Sequence, residues 1–547
     1  MRVADAVAER LVGLGVDQVF GVIGSGNFAI TNALREAGAG FVAARHECAA
    51  VCMADGYARV SGRVGVATVH QGPGLTNAAT GLAEAAKART PLLLLAADTS
   101  ASAVRSNFRI DQAGLATALG AVPERVHGAD SALADVSRAY RRAVTERRAV
   151  ALMLPLDVQA APIPQEHPDL PVTSLHRPAP SREAVTAVAD LLATARRPAI
   201  IAGRGAVLAD AGDVLARLGA TVGAVLATSA NANGLFARDP FAIGISGGFA
   251  SPLAMQLLAR ADAVLAFGAT LNMWTTRHGT LMNATARTVQ IDLDSDAIGG
   301  HLPVHIGVVA DAAATAHALL AELEHRGHQS QGLRSDDLAG RIARGRWRDE
   351  PYDDASRDGT IDPRTLTIGL DEMLPAERIV AIDSGHFMGW PAMYLAVPDA
   401  AGFVFNQAFQ SIGLGLGAAI GAAVARPDRL TVATLGDGGA MMSLGELETV
   451  ARLGLPMMIV IYNDSAYGAE VHHFAPQGHP VDLVRFPDTD FAQFGRAAGA
   501  EAVTVRRVED LAAVLDWLAH RDGPLVVDAK ITPDVVAEWL EEAFRAH

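Results

Sequence analysis

The chain has 547 residues, half of them apolar and 19% charged, with a formal net charge of −15. This composition is typical of a globular protein of three or four domains and excludes fibrous and disordered classes. The acidic balance predicts that neither nucleic acid nor a membrane surface is the main partner. We expect no signal peptide and no membrane span, because the longest apolar run, residues 412–425, is short and Gly-rich. Cys48 and Cys52 are too few for a disulfide scaffold, which favours a cytoplasmic location.

The first 160 residues alternate short apolar runs with helical patterns. Predicted strands lie at residues 41–44, 64–69 and 91–97. Predicted helices lie at residues 5–14, 48–59 and 75–88. Because strands buried on both faces read as continuous apolar runs, this alternation predicts a parallel sheet covered by helices on both faces. Residues 161–180, which are rich in proline, are predicted to form an extended linker.

The rest of the chain repeats this pattern twice. In residues 182–323 the predicted strands are 199–202, 263–267 and 288–291. Residues 324–363 are polar and lack periodicity, which predicts a second, partly helical linker. In residues 364–547 the predicted strands are 379–382, 430–435, 456–462 and 525–529. The sequence therefore predicts an α/β fold of three consecutive doubly wound domains with parallel sheets, at 1–160, 182–323 and 364–547, and ligand sites between domains.

A glycine-rich motif, Gly436-Asp437-Gly438-Gly439, follows the predicted strand 430–435 and precedes a helix that we expect to begin near Ser443. Glycines let the backbone approach a ligand and direct N–H groups at phosphate. An aspartate among them supplies a hard oxygen ligand for Mg²⁺. Alone, the motif is equally typical of a tight turn between a strand and a helix.

A second polar motif, Asn463-Asp464-Ser465-Ala466-Tyr467-Gly468, begins 26 residues after Asp437, at the end of the predicted strand 456–462. That separation matches one strand–helix–strand unit. Both motifs therefore fall at the carboxyl ends of neighbouring parallel strands, where α/β sheets bind ligands. Oxygen ligands beside a phosphate-binding turn predict a Mg²⁺–diphosphate site.

Together the two motifs resemble the fingerprint of thiamine diphosphate (ThDP) enzymes, a GDG motif followed at this spacing by an Asn pair. The resemblance implies that Asp437, Asp464 and the Ala466 carbonyl bind Mg²⁺. Asp464 departs from the fingerprint, since it replaces the second Asn and adds negative charge beside the diphosphate. Gly438 and Gly439 would donate N–H groups to phosphate. The cofactor-binding residues implied in this segment are Gly436, Asp437, Gly438, Gly439, Asp464, Ala466, Tyr467 and Gly468.

A glutamate follows the predicted strand 41–44, in Arg45-His46-Glu47. By itself, Glu47 is typical of a first-turn glutamate favoured by the helix dipole. The sequence that follows it, MADGYARVSGRVGVATVHQGPGLTNA, resembles the sequences of the acetolactate synthase, pyruvate oxidase and benzoylformate decarboxylase group of ThDP enzymes. In that group a glutamate here faces the aminopyrimidine ring and promotes loss of the thiazolium C2 proton. The resemblance therefore implies that Glu47 activates the cofactor.

The order of the motifs matches the same group. It implies a pyrimidine-binding domain at 1–160, a central domain at 182–323 and a diphosphate-binding domain at 364–547. In the group the cofactor lies between two subunits, which implies a homodimer or homotetramer. Ile412 matches the bulky residue that supports the bent cofactor, and an ordinary core position is the alternative. His386 matches a polar residue that holds the diphosphate, and a capping or surface role is the alternative.

Four further residues bear on the reaction. Ser25 and His70 lie where benzoylformate decarboxylase has a substrate-contacting serine and a proton-transferring histidine. Glu470 lies where pyruvate decarboxylase has a catalytic glutamate. Gln112 resembles a glutamine near the substrate of acetolactate synthase. The structural alternatives are a turn serine, a strand-end histidine, a solvated glutamate and an amide that satisfies local backbone.

The resemblance implies a ThDP- and Mg²⁺-dependent carboligase of the acetolactate synthase type. Such an enzyme decarboxylates a small 2-oxo acid and adds the cofactor-bound enamine to a second carbonyl. The alternative is a decarboxylase like benzoylformate decarboxylase, which releases an aldehyde. A flavin-dependent oxidase and a non-catalytic ThDP-binding partner are further alternatives. FAD is an alternative cofactor because Gly203-Arg204-Gly205 and Phe267-Gly268-Ala269 follow central strands, although no basic flavin-side residue follows Phe267.

Overall fold

The computed structural model describes residues 1–163 and 176–545, which form three α/β domains. Each domain contains one sheet of six strands built from parallel strand pairs. This confirms the predicted fold class. Most of the linker predicted at 161–180 lies outside the described residues. Within the described ranges, no helix has the length and hydropathy needed to cross a membrane.

The N-terminal domain carries its sheet between two layers of helices. Its strands are β1 (Gln18–Gly21), β2 (Gly40–Ala43), β3 (Gly65–Val69), β4 (Leu92–Asp98), β5 (Val122–Arg125) and β6 (Ala149–Pro155). Its helices are α1 (Val3–Gly13), α2 (Phe28–Glu36), α3 (Glu47–Ser61), α4 (Pro73–Asn77), α5 (Ala79–Lys87), α6 (Gln112–Ala118), α7 (Ala132–Thr145) and α8 (Leu156–Ala160). The strand order is β2-β1-β3-β4-β6-β5.

The central domain repeats the arrangement. Its strands are β7 (Pro198–Ala202), β8 (Val225–Thr228), β9 (Ala242–Ile245), β10 (Ala263–Phe267), β11 (Arg287–Asp292) and β12 (Ile306–Val309). Its helices are α9 (Arg182–Thr194), α10 (Arg204–Leu208), α11 (Gly212–Val222), α12 (Pro252–Ala259), α13 (Met273–Thr276) and α14 (Ala312–His325). The strand order is β12-β11-β10-β7-β8-β9. The second predicted linker is partly helical, as expected, and contains α15 (Asp336–Ala343).

The C-terminal domain has the strand order β14-β13-β15-β16-β18-β17 once its strands are numbered along the chain. These strands are β13 (Arg378–Ile382), β14 (Phe403–Phe405), β15 (Leu430–Gly436), β16 (Met458–Asn463), β17 (Glu501–Val505) and β18 (Leu525–Lys530). Its helices are α16 (Pro363–Met373), α17 (Gly389–Tyr394), α18 (Gly415–Ala425), α19 (Asp437–Met442), α20 (Glu446–Arg452), α21 (Gly468–Phe474), α22 (Phe491–Ala498), α23 (Ala512–His520) and α24 (Trp539–Phe544).

Two predicted helices differ from the observed ones. The helix predicted at 75–88 is broken at Ala78 into α4 and α5. The helix expected to begin near Ser443 corresponds to α20, which begins at Glu446, and an additional helix that was not predicted, α19, begins at Asp437 directly after β15 and ends at Met442. Glycines are tolerated in a first helical turn because the N–H groups there have no partner within the helix. Asp437 therefore belongs to the helix itself rather than to a preceding loop.

The N- and C-terminal domains pack tightly through α3 and α18, and buried apolar side chains of both domains form one core. A Cβ atom at Gly56 would lie 2.1 Å from the Ala418 carbonyl oxygen. A Cβ atom at Gly421 would lie 1.8 Å from the Met53 carbonyl oxygen. Because only glycine fits at such a close approach, these two positions set the distance between the helices. Helix α3 begins at Glu47, so the packing also fixes one predicted site residue.

Candidate active site

The two polar motifs meet where β15 and β16 end. These strands pair in parallel, with Gly436 opposite Tyr462. Asp437 and Asp464 lie just beyond that pair, and their carboxyl groups are in hydrogen-bond contact. The structure therefore brings together the two side chains predicted to bind Mg²⁺.

The electrostatics of this pair call for a cation. Burial, and then the charge of Asp464, raises the pKa of Asp437 to about 8. Burial raises the pKa of Asp464 to about 6. Two buried carboxyl groups in contact are unfavourable without a positive partner. Ser465, which has a left-handed φ of 58°, precedes Ala466. The Ala466 N–H donates a hydrogen bond to Asp464 Oδ1 at 3.2 Å. Mg²⁺ fits this set of hard oxygen ligands, with the Ala466 carbonyl oxygen as the third ligand.

The glycines of the first motif are required by their neighbours. A Cβ atom at Gly438 would lie 2.4 Å from Cε1 of Tyr467. A Cβ atom at Gly439 would lie 2.3 Å from Oδ2 of Asp383. No other residue type fits at either position without displacing these groups. Gly438 and Gly439, in the first turn of α19, form what we call the glycine turn. It therefore presents only backbone atoms to the adjoining cavity, where its N–H groups can reach a phosphate.

That cavity has a volume of about 1270 Å³ and is lined by all three domains. Trp274 and Asp292 line it from the central domain, and Arg147 lines it from the N-terminal domain. The predicted site residues that line it are His386, Ile412, Gly436, Asp437, Gly438, Gly439, Asp464, Ala466, Tyr467, Gly468 and Glu470. The other predicted site residues, Ser25, Glu47, His70 and Gln112, do not line it. Within one chain, the structure thus assembles the diphosphate half of the predicted site alone.

His386 is buried and electrically neutral. Burial, together with the neighbouring His472, lowers the pKa of His386 to about 3. The Ala537 N–H donates to its Nε2 at 3.0 Å, so the single ring proton of the neutral imidazole lies on Nδ1. A neutral ring with one N–H donor suits the predicted contact with a diphosphate oxygen.

Ile412 is followed by a backbone segment bound to one carboxylate. Asp383 Oδ2 accepts the Gly413 N–H at 2.8 Å, and Oδ1 accepts those of Leu414 and Gly415, both at 3.1 Å. Burial, opposed by these N–H groups, raises the pKa of Asp383 to about 6. The segment after Ile412 is therefore held to the end of β13.

Glu47 is the first residue of α3 and is held from two directions. Its Oε2 accepts a hydrogen bond from Asn77 Nδ2 at 3.0 Å. The two N–H groups before it, of Arg45 and His46, donate to Glu446 Oε1 at 2.9 and 3.0 Å. Glu446 belongs to the C-terminal domain, so both terminal domains fix the start of this helix.

The glycines on either side of Ser25 pack against His70 and Gln71. Ser25 is exposed between two glycines that pack on the neighbouring strand end. A Cβ atom at Gly24 would lie 2.7 Å from Cδ2 of His70, and one at Gly26 would lie 1.7 Å from Oε1 of Gln71. The His70 ring also packs on Phe108, with the ring centroids 4.9 Å apart. The catalytic roles of Ser25 and His70 stay predictions.

Gln112 and Glu470 differ in whether their side chains are free to contact a substrate. Both ends of the buried Gln112 amide are used locally, since Oε1 accepts the Gly72 N–H and Nε2 donates to the Ala97 carbonyl, each at 2.9 Å. This matches the alternative in which the amide satisfies local backbone. Glu470 is exposed, at the start of α21, on the cavity lining. Its carboxylate is free to approach a bound substrate.

The glycines that suggested a nucleotide in the central domain have a packing role. The Gly205 N–H donates to the Gly268 carbonyl at 3.0 Å. A Cβ atom at Gly203 would lie 2.2 Å from the same oxygen. Contact between two loops therefore explains these glycines, and Gly205 and Gly268 also line the cavity, so FAD stays an alternative.

Sequence reasoning missed three residues that hold the site, namely Asn77, Asp383 and Glu446. Asp383 was detectable, because it directly follows the predicted strand 379–382 at the ligand-binding end of the sheet. Asn77 and Glu446 lie on helices, and no sequence pattern shows that they reach the region of Glu47.

Comparison with known proteins identifies the family through three domain models. Residues 1–117 match the thiamine pyrophosphate enzyme, N-terminal TPP binding domain. Residues 185–319 match the thiamine pyrophosphate enzyme, central domain. Residues 383–529 match the thiamine pyrophosphate enzyme, C-terminal TPP binding domain. Thiamine pyrophosphate is another name for ThDP.

Curated relatives match over nearly the whole chain. A sulfoacetaldehyde acetyltransferase of Alcaligenes xylosoxydans xylosoxydans is 30% identical, covering 94% of this chain and 90% of the relative. A probable 2-ketoarginine decarboxylase of Pseudomonas aeruginosa is 30% identical, covering 92% and 89%. The acetolactate synthase isozyme 2 large subunit of Escherichia coli is 27% identical, covering 97% and 96%.

A solved structure shares the fold. The thiamine diphosphate-dependent 4-hydroxybenzoylformate decarboxylase of Rhodococcus jostii RHA1 superposes with a TM-score of 0.83 at 21% identity, covering 97% of this chain and 99% of that chain. The motifs, the three domain models and the full-length relatives agree. The chain therefore belongs to the thiamine pyrophosphate enzyme family and is a ThDP-dependent enzyme.

Proposed function

We propose that this protein is a ThDP- and Mg²⁺-dependent carboligase of the acetolactate synthase type, acting on a small 2-oxo acid. The observation that carries the proposal is the meeting of Asp437, Asp464 and the glycine turn at one wall of a cavity lined by three domains. When bound, ThDP supplies a carbon that attacks the 2-oxo carbonyl and accepts the electron pair as CO₂ leaves. Asp437, Asp464 and the Ala466 carbonyl would hold Mg²⁺.

The cavity is large enough to hold the cofactor together with a substrate, since its volume of about 1270 Å³ exceeds the usual range for a site that holds one small molecule, roughly 300–1,000 Å³. The full-length relatives with transferase and synthase names favour transfer to an acceptor over simple release. Glu470 is an exposed carboxylate on the cavity lining, near the glycine motif, that could move a proton during the second step.

We infer that Glu47, Ser25 and His70 act in the cavity of a second subunit. Glu47 would hold a proton at the aminopyrimidine ring, and Ser25 and His70 would position the substrate and exchange protons with it. Near Ser25 and His70 the surface exposes 42% of Ile23 and 56% of Phe28. Apolar side chains exposed together favour coverage by a partner. A homodimer or homotetramer with shared sites, in the cytoplasm, follows as part of the proposal.

Aldehyde release is the second candidate, because the glycines that flank Ser25 pack against His70 and Gln71, and the His70 ring packs on Phe108. A histidine placed this way can protonate a carbanion before a second carbonyl arrives. The decarboxylase among the full-length relatives supports the same outcome.

Product analysis by NMR separates the two candidates. The protein is incubated with ThDP, Mg²⁺ and either pyruvate or benzoylformate, and Glu47→Gln is the inactive control. We expect acetolactate from pyruvate. Free aldehyde without a ligation product would replace this proposal with the decarboxylase. A flavin absorption band bleached by substrate would instead support an oxidase.

A further inference from the structure

A cluster of buried polar side chains lies where the three domains meet, and we call Asp55, Arg59 and Glu84 the interdomain cluster. Arg59 Nε lies 2.8 Å from Asp55 Oδ2, and Nη2 lies 3.0 Å from Glu84 Oε1. The side chain of Arg59 is 3% exposed, and those of both acids are 1% exposed. Arg59 Nη1 also donates to the Phe405 carbonyl at 2.8 Å and to Asn231 Oδ1 at 3.2 Å.

Glu84 has a second set of contacts, with a loop of the C-terminal domain. Its Oε1 accepts the Ala408 N–H at 3.1 Å, and its Oε2 accepts the Phe409 N–H at 2.7 Å. One helical turn later, the Lys87 ammonium lies 5.6 Å from the centre of the Phe409 ring. Helix α5 of the N-terminal domain therefore holds two consecutive residues of this loop.

The loop held by Glu84 leads directly to Ile412. Phe409 precedes Ile412 by three residues, and Asp383 binds the N–H groups that follow Ile412. Ile412 is thus fixed between two buried carboxylates from different domains. Its side chain lines the cavity together with Asp437 and the glycine turn.

We propose that Glu84 is a positioning residue that sets the ring geometry of bound ThDP through Ile412. The inference rests on the proposed function and on the contact of Ile412 with the cofactor that the family resemblance implies. A buried ion pair is by itself weak evidence for a stabilising role. Two directed N–H bonds to one loop, in contrast, fix that loop in space, because each carboxylate oxygen is already engaged.

The test replaces Glu84 with glutamine, which keeps the shape but exchanges one acceptor oxygen for a donor. One N–H group of the loop then faces an N–H group of the new amide instead of an oxygen, and the loop must move. The readout is the rate at which the C2 hydrogen of bound ThDP exchanges with D₂O, measured by NMR after acid quench without substrate. We expect Glu84→Gln to slow this exchange roughly tenfold, since a tenfold change needs only a small displacement. ThDP affinity, set by the diphosphate end, should stay within about threefold.

Two further variants test the route through Ile412. Ile412→Ala should slow the exchange to a similar extent. The double variant should be no slower than the more affected single variant, because residues that act through one another are not additive. If Glu84→Gln does not fold, Glu84→Asp keeps the charge beside Arg59 and withdraws both oxygens from the loop, with the same expected loss.

A matched control removes a carboxylate that also pairs with arginine, elsewhere in the same domain. Glu124 pairs with Arg138 at 2.8 Å and with Arg142 at 3.0 Å. Glu124→Gln should lower the melting temperature and leave the exchange rate unchanged. A wild-type protein that does not bind ThDP would refute the proposed function itself. Wild-type exchange rates in Glu84→Gln or Glu84→Asp would overturn this inference, as would a loss of thermal stability alone.

Discussion

Asp464 places a second carboxylate where a neutral amide would suffice as a metal ligand. It touches Asp437 in a buried site, and the pKa of each acid is raised, by burial in both cases and for Asp437 also by the charge of Asp464. With a divalent cation present, the same charge becomes favourable, because two carboxylates balance it. Asp464 therefore lowers the stability of the protein when no metal is bound and raises the affinity of the site for the metal.

Asp464→Asn should affect the metal-free and metal-bound proteins in opposite directions. We expect a higher melting temperature in EDTA, because the contact between two acids is lost. We expect Mg²⁺ affinity with ThDP present to fall roughly tenfold, which corresponds to about 1.4 kcal/mol of lost attraction. Thermal denaturation and calorimetric titration measure the two effects. Asp482→Asn, an exposed carboxylate of the same domain, is the control. Unchanged Mg²⁺ affinity would show that the extra negative charge of Asp464 does not strengthen metal binding.

At the scale of elements, α3 and α18 carry the contact between the two terminal domains. Their backbones approach so closely that Gly56 and Gly421 have no room for a methyl group. Helix α3 starts at Glu47, and α18 follows the segment that Asp383 binds after Ile412. A change in the distance between these helices therefore reaches both halves of the site.

Gly421→Ala should force the two helices apart, because the new methyl carbon would lie 1.8 Å from the Met53 carbonyl oxygen. Overpacking of this kind costs roughly 1–3 kcal/mol. We expect a lower melting temperature in thermal denaturation. Gly13→Ala is the matched control, since nothing lies within 4 Å of a Cβ atom at that end of α1. An unchanged melting temperature in Gly421→Ala would contradict the close packing.

The elements that the sequence predicted best are the buried central strands. Strand β10 matches its prediction, since a strand covered on both faces is an unbroken apolar run. Edge strands such as β9 and β14 were not predicted, because short segments carry little pattern. Helix α19 was not predicted, because its glycines suggested a turn. The Asp437–Asp464 pair was predictable from strand ends, whereas the contacts of Gln112 and Glu84 depend on tertiary packing.

At the scale of the whole molecule, the predicted site is divided between two surfaces. The diphosphate half lines the large cavity, and Glu47, Ser25 and His70 lie outside its lining. Glu47 is held in place by Asn77 and, through its neighbours, by Glu446. A residue so firmly placed outside the cavity of its own chain is well suited to serve the cavity of another chain.

Mixing two inactive variants tests this division. Glu47→Gln and Asp437→Ala should each abolish product formation. In a symmetric dimer, a mixed pair contains one site with both natural residues and one site with both replacements. Half of the sites in isolated mixed dimers should therefore regain activity. Product is measured by NMR on mixed dimers isolated with two affinity tags. Inactive mixed dimers would place the complete site within one chain, because sites shared between subunits must complement one another.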